Sequence, residues 1–255
     1  MTEGTIKNSQ IAVQADGETT TVDLNNIDIT VVDSGIGLFS RRKSIIHMKG
    51  KSIDFTGGTA VRIKEGKIIL EKVNIKNESI MTKQLYDKNA AIYMYPESVL
   101  DMKEGEVVLN NAHGLVFGID KEEEKEQQKK KATTQTRVDI KDVNIQVNGQ
   151  QFYGMYVKPS DAQTIENSTS DIVVSLKKTK ITVPEHTVIY NKVNQKLIFN
   201  LSEQTELSGD LLLEADSGAI DIKADNSQLK GGTLITGIVL LDPASVPNFL
   251  KNFII

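Results

Sequence analysis

One short phrase recurs along this chain: an alternating apolar strand, then Asn, Asp or Gly, then a second alternating strand. The phrase occurs in five stretches, NNIDITVVDSGIGLF (25–39), GKSIDFTGGTAVRI (50–63), GEVVLNNAHGLVF (105–117), KDVNIQVNGQQFYGMYV (141–157) and KTKITVPEHTVIY (178–190). A unit of this size buries too little apolar surface to be stable alone. Its recurrence therefore predicts that copies stack into a solenoid with one continuous core.

The apolar spacing predicts an all-β protein folded as a right-handed parallel β-helix. In this fold each coil contains about three short strands, the coils stack about 4.8 Å apart, and alternate side chains point inward. The first predicted set of inward pairs is Ile27/Ile29, Ile53/Phe55, Val73/Ile75, Val107/Leu109, Val143/Ile145 and Ile181/Val183. The second set is Gly37/Phe39, Val61/Ile63, Ile92/Met94, Leu115/Phe117, Met155/Val157 and Val188/Tyr190.

Near the C-terminus the repeat becomes regular. Leu207-Ser208-Gly209 returns as Leu229-Lys230-Gly231 at a separation of 22 residues, which is the length of a full three-sided coil. An antiparallel sandwich of seven or more strands explains the alternation equally well but not this fixed period, and it stays the alternative fold. The chain has room for about eight to ten coils, which make a rod about 40–50 Å long.

Residues 1–241 are predicted to form one β-helical domain, and two segments depart from the repeat. The stretch KEEEKEQQKKKATTQT (121–136) has five Lys and four Glu in its first eleven positions and predicts an exposed, charged loop insertion. The tail DPASVPNFLKNFII (242–255) leaves the repeat through two prolines. It predicts a short C-terminal cap over the open end of the solenoid, or a junction to a removed segment.

Composition and charge exclude several classes of function. A net charge of −4 provides no global positive field for a nucleic acid. The absence of Cys excludes thiolate metal sites and thiol catalysis. No stretch reaches the roughly 18 to 20 consecutive apolar residues that cross a bilayer, and no signal-peptide pattern opens the sequence. We therefore expect no membrane insertion of this segment.

Fragments of catalytic signatures occur without their partners. Arg62-Ile63-Lys64 and His113-Gly114 are similar to parts of polygalacturonase signatures, but they stand in reverse order and no Asp-Asp pair accompanies them. Asp33-Ser34-Gly35 and Asp216-Ser217-Gly218 fall at predicted corners, where turn geometry explains them. The three His residues lack metal-ligand spacing. The sequence predicts no catalytic residue, no metal site and no cofactor, while a β-helix enzyme acting on glycans stays an alternative.

Two basic spots are the candidate partner-binding residues. The first is Arg41, Arg42 and Lys43, and the second is Lys129, Lys130 and Lys131 within the charged insertion. Local clusters of positive charge attract acidic groups even when the net charge is negative, so a sulphated glycan or an acidic receptor surface is the expected partner. The competing interpretation is that both spots are solvated charge without a partner.

The C-terminal coils, LSGDLLLEADSGAIDIKADNSQLKGGTLITG (207–237), resemble the passenger domains of Gram-negative autotransporters, the pertactin-like proteins of type V secretion. Members of this family alternate short apolar strands with Gly, Asp, Asn and Ser corners and carry a recurring Leu-x-Gly step. That step stands here at 207–209 and at 229–231. The sequence shows neither the export signal nor the membrane barrel of a full-length family member, so the resemblance implies an isolated passenger or its mature part.

The resemblance implies a virulence factor that is secreted by, or displayed on the surface of, a Gram-negative bacterium. Such a passenger binds host cells or a host receptor as an adhesin or as a released signalling effector, without catalysis. The compact size further resembles small passengers of bartonellae that are pro-angiogenic and signal through a host growth-factor receptor. A structural role as a self-association module is the remaining alternative. The oligomeric state is not indicated by the sequence.

Overall fold

A computed structural model describes residues 1–7, 10–32, 34–78, 89–118, 134–159, 171–214, 217–231, 233–235 and 239–241. All regular structure in these residues is β-strand, and all strand pairings are parallel. A sandwich of antiparallel strands is therefore wrong, and the predicted parallel β-helix is confirmed. Most of the predicted insertion (its residues 121–133) and the whole predicted cap (242–255) lie outside the described residues.

The strands form three parallel sheets, here named A, B and C. Sheet A contains β1 (Gly4–Lys7), β4 (Ile27–Val31), β7 (Ser52–Phe55), β10 (Asn74–Glu78), the second halves of β12 (Val99–Asn110) and β14 (Thr136–Asn148), the first halves of β17 (Lys180–Asn191) and β19 (Glu206–Leu213), and β21 (Gln228–Lys230). Sheet B contains β2 (Ile11–Asp16), β5 (Ile36–Arg41), β8 (Thr59–Lys64), β11 (Ala90–Met94), β13 (His113–Phe117), β15 (Met155–Val157), the second halves of β17 and β19, and β22 (Thr233–Ile235). Sheet C contains β3 (Thr21–Asn25), β6 (Ile45–Lys49), β9 (Lys67–Glu71), the first halves of β12 and β14, β16 (Ile172–Lys177), β18 (Leu197–Ser202), β20 (Ile220–Ala224) and β23 (Val239–Leu241).

The described strands wind through sheets A, B and C in that order nine times. Four strands, β12, β14, β17 and β19, bend from one sheet into the next and so serve two sheets each. At about 4.8 Å per coil, nine coils make a rod about 40 Å long, in agreement with the predicted number of coils. The predicted 22-residue step is also confirmed, because Leu207 pairs with Leu229 and Ser208 with Lys230 on the next coil.

Apolar side chains stack inside the coils in register. In sheet A the inward column is Ile29, Ile53, Ile75, Val107, Ile145, Ile181, Leu207 and Leu229. In sheet B it is Leu38, Val61, Ile92, Leu115, Met155, Ile189 and Leu211. All these side chains are buried, and each contributes about 1.5–3 kcal/mol of hydrophobic stabilisation. Every residue of the first predicted set is likewise buried.

Two residues of the second predicted set, Phe39 and Tyr190, were wrongly placed. Phe39 stacks with Arg62, and Tyr190 with Tyr156, on the outer face of sheet B. The reason is a break in the alternation where the chain enters this sheet, since two consecutive residues such as Val188 and Ile189 both lie in the core. If every second residue is taken as inward from a point before this break, the residues after it are assigned to the core although they lie on the outer face.

The corner between sheets C and A is tight in every described coil. It contains residues with positive φ that are not glycine: Asn26 (55°), Lys51 (71°), Lys72 (55°), Glu104 (54°), Asp142 (55°), Lys178 (49°), Gln204 (64°) and Asn226 (47°). This conformation costs an L-residue about 1–2 kcal/mol. Charged members pair across adjacent coils, with Lys178 Nζ 3.0 Å from Asp142 Oδ1 and Lys72 Nζ 3.5 Å from Glu104 Oε2. At most three residues separate the strands at this corner.

Neighbouring residues in β10 test the assignment of inner and outer faces. We expect Ile75→Ala to lower the free energy of unfolding by about 2–5 kcal/mol, because it leaves a cavity between Ile53 and Val107. Lys76→Ala, one residue further on the exposed face, is the matched control and should change it by less than about 0.5 kcal/mol. Urea unfolding followed by circular dichroism measures both, and equal effects would contradict the assignment.

Candidate functional site

The first predicted basic spot lies where sheet B turns into sheet C on the second coil. Arg42 forms a bidentate salt bridge with Asp16 on the coil below. Its Nε lies 2.8 Å from Oδ1, and its Nη2 donates a hydrogen bond to Oδ2 at 2.8 Å. Arg41 approaches the same carboxylate at 3.7 Å, and its guanidinium lies 5.7 Å from the centre of the Phe39 ring. Lys43 donates a hydrogen bond to Glu18.

Acidic residues of the first coil thus neutralise much of this spot. The hydrogen bond between Lys43 and Glu18, with their charge attraction, lowers the pKa of the carboxyl and raises the pKa of the amine. Such exposed pairs contribute little to stability and are screened by salt. The second predicted spot, Lys129, Lys130 and Lys131, lies outside the described residues.

The outer face of sheet B carries an aromatic cluster. Its members are Ala90, Tyr93, Tyr95, Val116, Tyr156 and Tyr190, with Tyr153 and Leu212 packed against them. Tyr156 stacks on Tyr190 with ring centres 5.4 Å apart, and Tyr153 meets Tyr190 edge-on at 4.9 Å. Offset and edge-on pairs of this kind add about 0.5–1.5 kcal/mol to the gain from burial. The cluster is a second, smaller hydrophobic core outside the coil.

The fragments that are similar to polygalacturonase signatures belong to this aromatic face. The Arg62 guanidinium lies 5.6 Å from the centre of the Tyr93 ring. His113 stacks on Tyr153 at 5.3 Å, and its Nδ1 accepts a hydrogen bond from the Tyr153 backbone N–H at 3.1 Å. Lys64 lies on the outer face of sheet B but is only 6% exposed, so it is packed against its neighbours there.

Sheet C carries the candidate binding site, a groove parallel to the axis of the rod. The groove encloses about 870 Å³ and extends from the third coil to the eighth. One wall is the outward column Ile69, Asp101, Asp139, Ser175, Asn200 and Lys223, and the other is Glu71, Lys103, Lys141, Lys177, Ser202 and Asp225. Residues between the two columns point into the core, so the floor of the groove is backbone.

Carboxylate, hydroxyl and amide oxygens in the central four coils give one wall hydrogen-bond acceptors, while ammonium groups give the other wall donors. Asp101 pairs with Lys67, and Asp139 Oδ2 lies 2.6 Å from Arg137 Nε. The lysines of the opposite wall have acidic neighbours at the corner, with Lys103 Nζ 3.1 Å from Glu104 Oε1. The groove therefore has one wall of acceptors and one wall of lysines, an arrangement suited to binding a polar partner by many weak contacts.

Local charge clusters in the sequence do not predict this groove, but a repeated three-residue pattern does. Asp101-Met102-Lys103, Asp139-Ile140-Lys141 and Ser175-Leu176-Lys177 repeat one pattern, an acceptor, a core residue and a lysine. The copies stand 38 and 36 residues apart, so they form no local cluster. Parallel pairing brings them onto three successive coils.

Comparison of the chain with protein-family models, with curated proteins and with solved structures finds no match. In the part of the chain that the structure describes, no helix is long and apolar enough to span a membrane. Among the same residues no group of three or more His, Asp or Glu side chains is placed to hold a metal ion. The site is thus defined by its own geometry.

Tyr190 gives a prediction for alkaline stability. Burial raises its pKa well above the usual value, and a hydrogen bond from its hydroxyl to the Glu214 carboxylate, with the negative charge of that group, raises the pKa further. The folded protein therefore keeps the proton at a pH where the unfolded chain loses it. The contribution of Tyr190 to stability is complete below about pH 10 and is lost as the pH rises above that value.

We expect the free energy of unfolding of the native protein to fall more steeply above about pH 10 than that of Tyr190→Phe. Urea unfolding at a series of pH values measures the difference. Glu214→Gln keeps a hydrogen-bond acceptor but removes the negative charge. Above about pH 10 its free energy of unfolding should therefore fall less steeply than that of the native protein and more steeply than that of Tyr190→Phe. Parallel pH profiles for the native protein and Tyr190→Phe would show that the hydroxyl carries no such shift.

Proposed function

We propose that this chain is a passenger of a Gram-negative autotransporter, secreted or displayed at the cell surface, that binds a host-cell surface without catalysing a reaction. The partner is a host receptor protein or a sulphated glycan, and the chain acts as an adhesin or as a signalling effector. A pro-angiogenic, growth-factor-like effector is the more specific form of the same proposal. The parallel β-helix and the repeated Leu-x-Gly step support this class.

The groove on sheet C is the observation that carries the proposal. Its walls stand on strands that pair on both sides, so the positions of Asp139 and Lys141 are fixed by backbone hydrogen bonds before any partner arrives. A rigid site loses less conformational freedom on binding than a mobile loop does. The outward side chains of both walls are also polar in the four central coils, as expected of a surface that binds a partner in water. We therefore assign recognition to this groove, ahead of Arg41, Arg42 and Lys43.

An enzyme acting on glycans is the second candidate, and one observation favours it. Asp101 and Asp139 pair directly across adjacent coils and both line the groove. Two carboxylates about 5 to 10 Å apart are the minimum apparatus for cleaving a glycosidic bond. Against catalysis, each carboxylate already has a cation beside it, Lys67 or Arg137, which opposes the protonated form that a general acid needs.

Loss of the lysine wall should weaken binding to cells. We expect the triple variant Lys103→Gln, Lys141→Gln and Lys177→Gln to bind mammalian cells at least about tenfold more weakly, since three charge contacts are lost together. The matched control is Lys76→Gln, Lys180→Gln and Lys230→Gln, which removes the same charge from the outer face of sheet A. Titration of labelled protein on cells measures the affinity. Equal binding by both triple variants would remove the groove from the mechanism.

Catalysis has its own assay. After prolonged incubation with acidic and neutral polysaccharides we expect no new reducing ends and no unsaturated sugar products above the level of heat-denatured protein. Release of products by the native chain that disappears in Asp101→Asn or Asp139→Asn would instead establish the enzyme. Circular dichroism of the two variants confirms that they are folded.

A further inference from the structure

We infer that the groove on sheet C binds a linear acidic glycan, extended along the axis of the rod. This inference rests on the proposed function and adds the chemical class of the partner. Three properties of the groove point to it: the repeat of its walls, the different chemistry of the two walls, and the concave shape between them.

The repeat of the walls selects a polymer. Each step along the axis from Lys103 to Lys141 to Lys177 is one coil, about 4.8 Å, and the opposite wall advances by the same step. A partner that meets equivalent groups on successive coils must present equivalent groups at a similar spacing. A chain of sugars in extended conformation does this, whereas the irregular surface of a globular protein does not.

The two walls select an acidic glycan among polymers. Lys103, Lys141 and Lys177 have side chains that are 52%, 47% and 44% exposed. Each ammonium group pairs with a carboxylate at the corner, and such exposed pairs are weak enough for an anionic ligand to replace. Carboxylate or sulphate groups along one edge of a glycan match this wall. Hydroxyl groups along the other edge donate to the oxygens of the opposite wall, where Ser175 and Asn200 continue the line of the two aspartates.

The length of the lysine wall limits how many acidic groups of the ligand can contact it. The lysines occupy the fourth, fifth and sixth coils, while Glu71 precedes them and the uncharged Ser202 follows them. The complete groove covers about 24 Å from the third coil to the eighth. The site thus accommodates a short run of sugars in which about three acidic groups meet lysines.

The concave shape argues against a second copy of this chain as the occupant. Two copies of the same face have complementary columns of charge, but two concave surfaces cannot close against each other without a gap. An acidic segment of a protein is the other rival, and the experiment separates it from a glycan.

Isothermal titration calorimetry with defined oligosaccharides tests the inference. The probes are a heparin-derived hexasaccharide, a hexagalacturonate and, as the neutral control, maltohexaose. We expect at least one acidic probe to bind, maltohexaose not to bind, and the affinity to fall when NaCl is raised from about 50 to about 300 mM. The triple variant of Lys103, Lys141 and Lys177 should lose at least about tenfold, and the triple control on sheet A less than about twofold. Absence of binding by both acidic probes overturns the inference.

Variants of the aspartates should change the affinity in the opposite direction to variants of the lysines. Asp101→Asn with Asp139→Asn removes two negative charges that face the acidic ligand, keeps an acceptor oxygen at each position, and releases Lys67 and Arg137. We expect this variant to bind the acidic probe about two- to tenfold more tightly. Unchanged or weaker binding would contradict an anionic ligand in this groove.

Different results would refute binding of an acidic glycan and binding of host cells. If the lysine variant loses cell binding and no acidic probe binds, the groove recognises a protein, so the glycan is wrong while the proposed function stands. If no acidic probe binds and the lysine variant binds cells normally, the glycan is wrong and the groove is removed from the mechanism. If the native chain binds no cells, the proposed function is wrong as well. Light scattering of the native protein, which should give the mass of one chain, excludes self-association through this face.

Discussion

Parallel hydrogen bonding between the backbones of successive coils is the interaction on which the rest of this molecule depends. Because each strand pairs in register with the strand one coil away, equivalent side chains stack in columns about 4.8 Å apart. The inward columns become the core. The outward columns of sheet C acquire the same order without a packed core of their own, so the alignment of Lys103 with Lys141 follows from backbone pairing. Residue type decides only the chemical character of each wall.

Stacking in register also places like charges next to each other, and the surface compensates for this. Lys141 and Lys177 repel one another across one coil, but carboxylates stand on both sides of the lysine wall, with Asp139 in the groove and Asp142 at the corner. Exposed pairs of this kind are worth about 0–1 kcal/mol each. An anionic ligand can therefore replace the carboxylates that pair with these lysines, whereas a buried ion pair would be harder to break.

The periodicity of the sequence predicts the fold well and the site poorly, for one physical reason. Burial imposes a strict pattern on inward residues, so Ile53, Ile75 and their equivalents are visible in the sequence. Outward residues obey no such pattern, and the residues of the groove are brought together only by the register, which depends on loops of unequal length. Phe39 and Tyr190 show a further limit, because strict alternation does not allow for the local break at the entry to sheet B, which small residues such as Gly37, Ala60 and Gly114 mark.

The tight corner between sheets C and A has a consequence for where the coils carry their long connections. Long connections, 79–89, 118–135 and 158–171, all leave from the ends of sheet A or sheet B, whereas at most three residues ever join sheet C to the next coil. In the described coils, long connections thus occur at two edges of the coil, while the third edge holds only tight turns with residues of positive φ. In the described coils the edge between sheets C and A thus carries only short connections, and the lysine wall of the groove lies beside this edge.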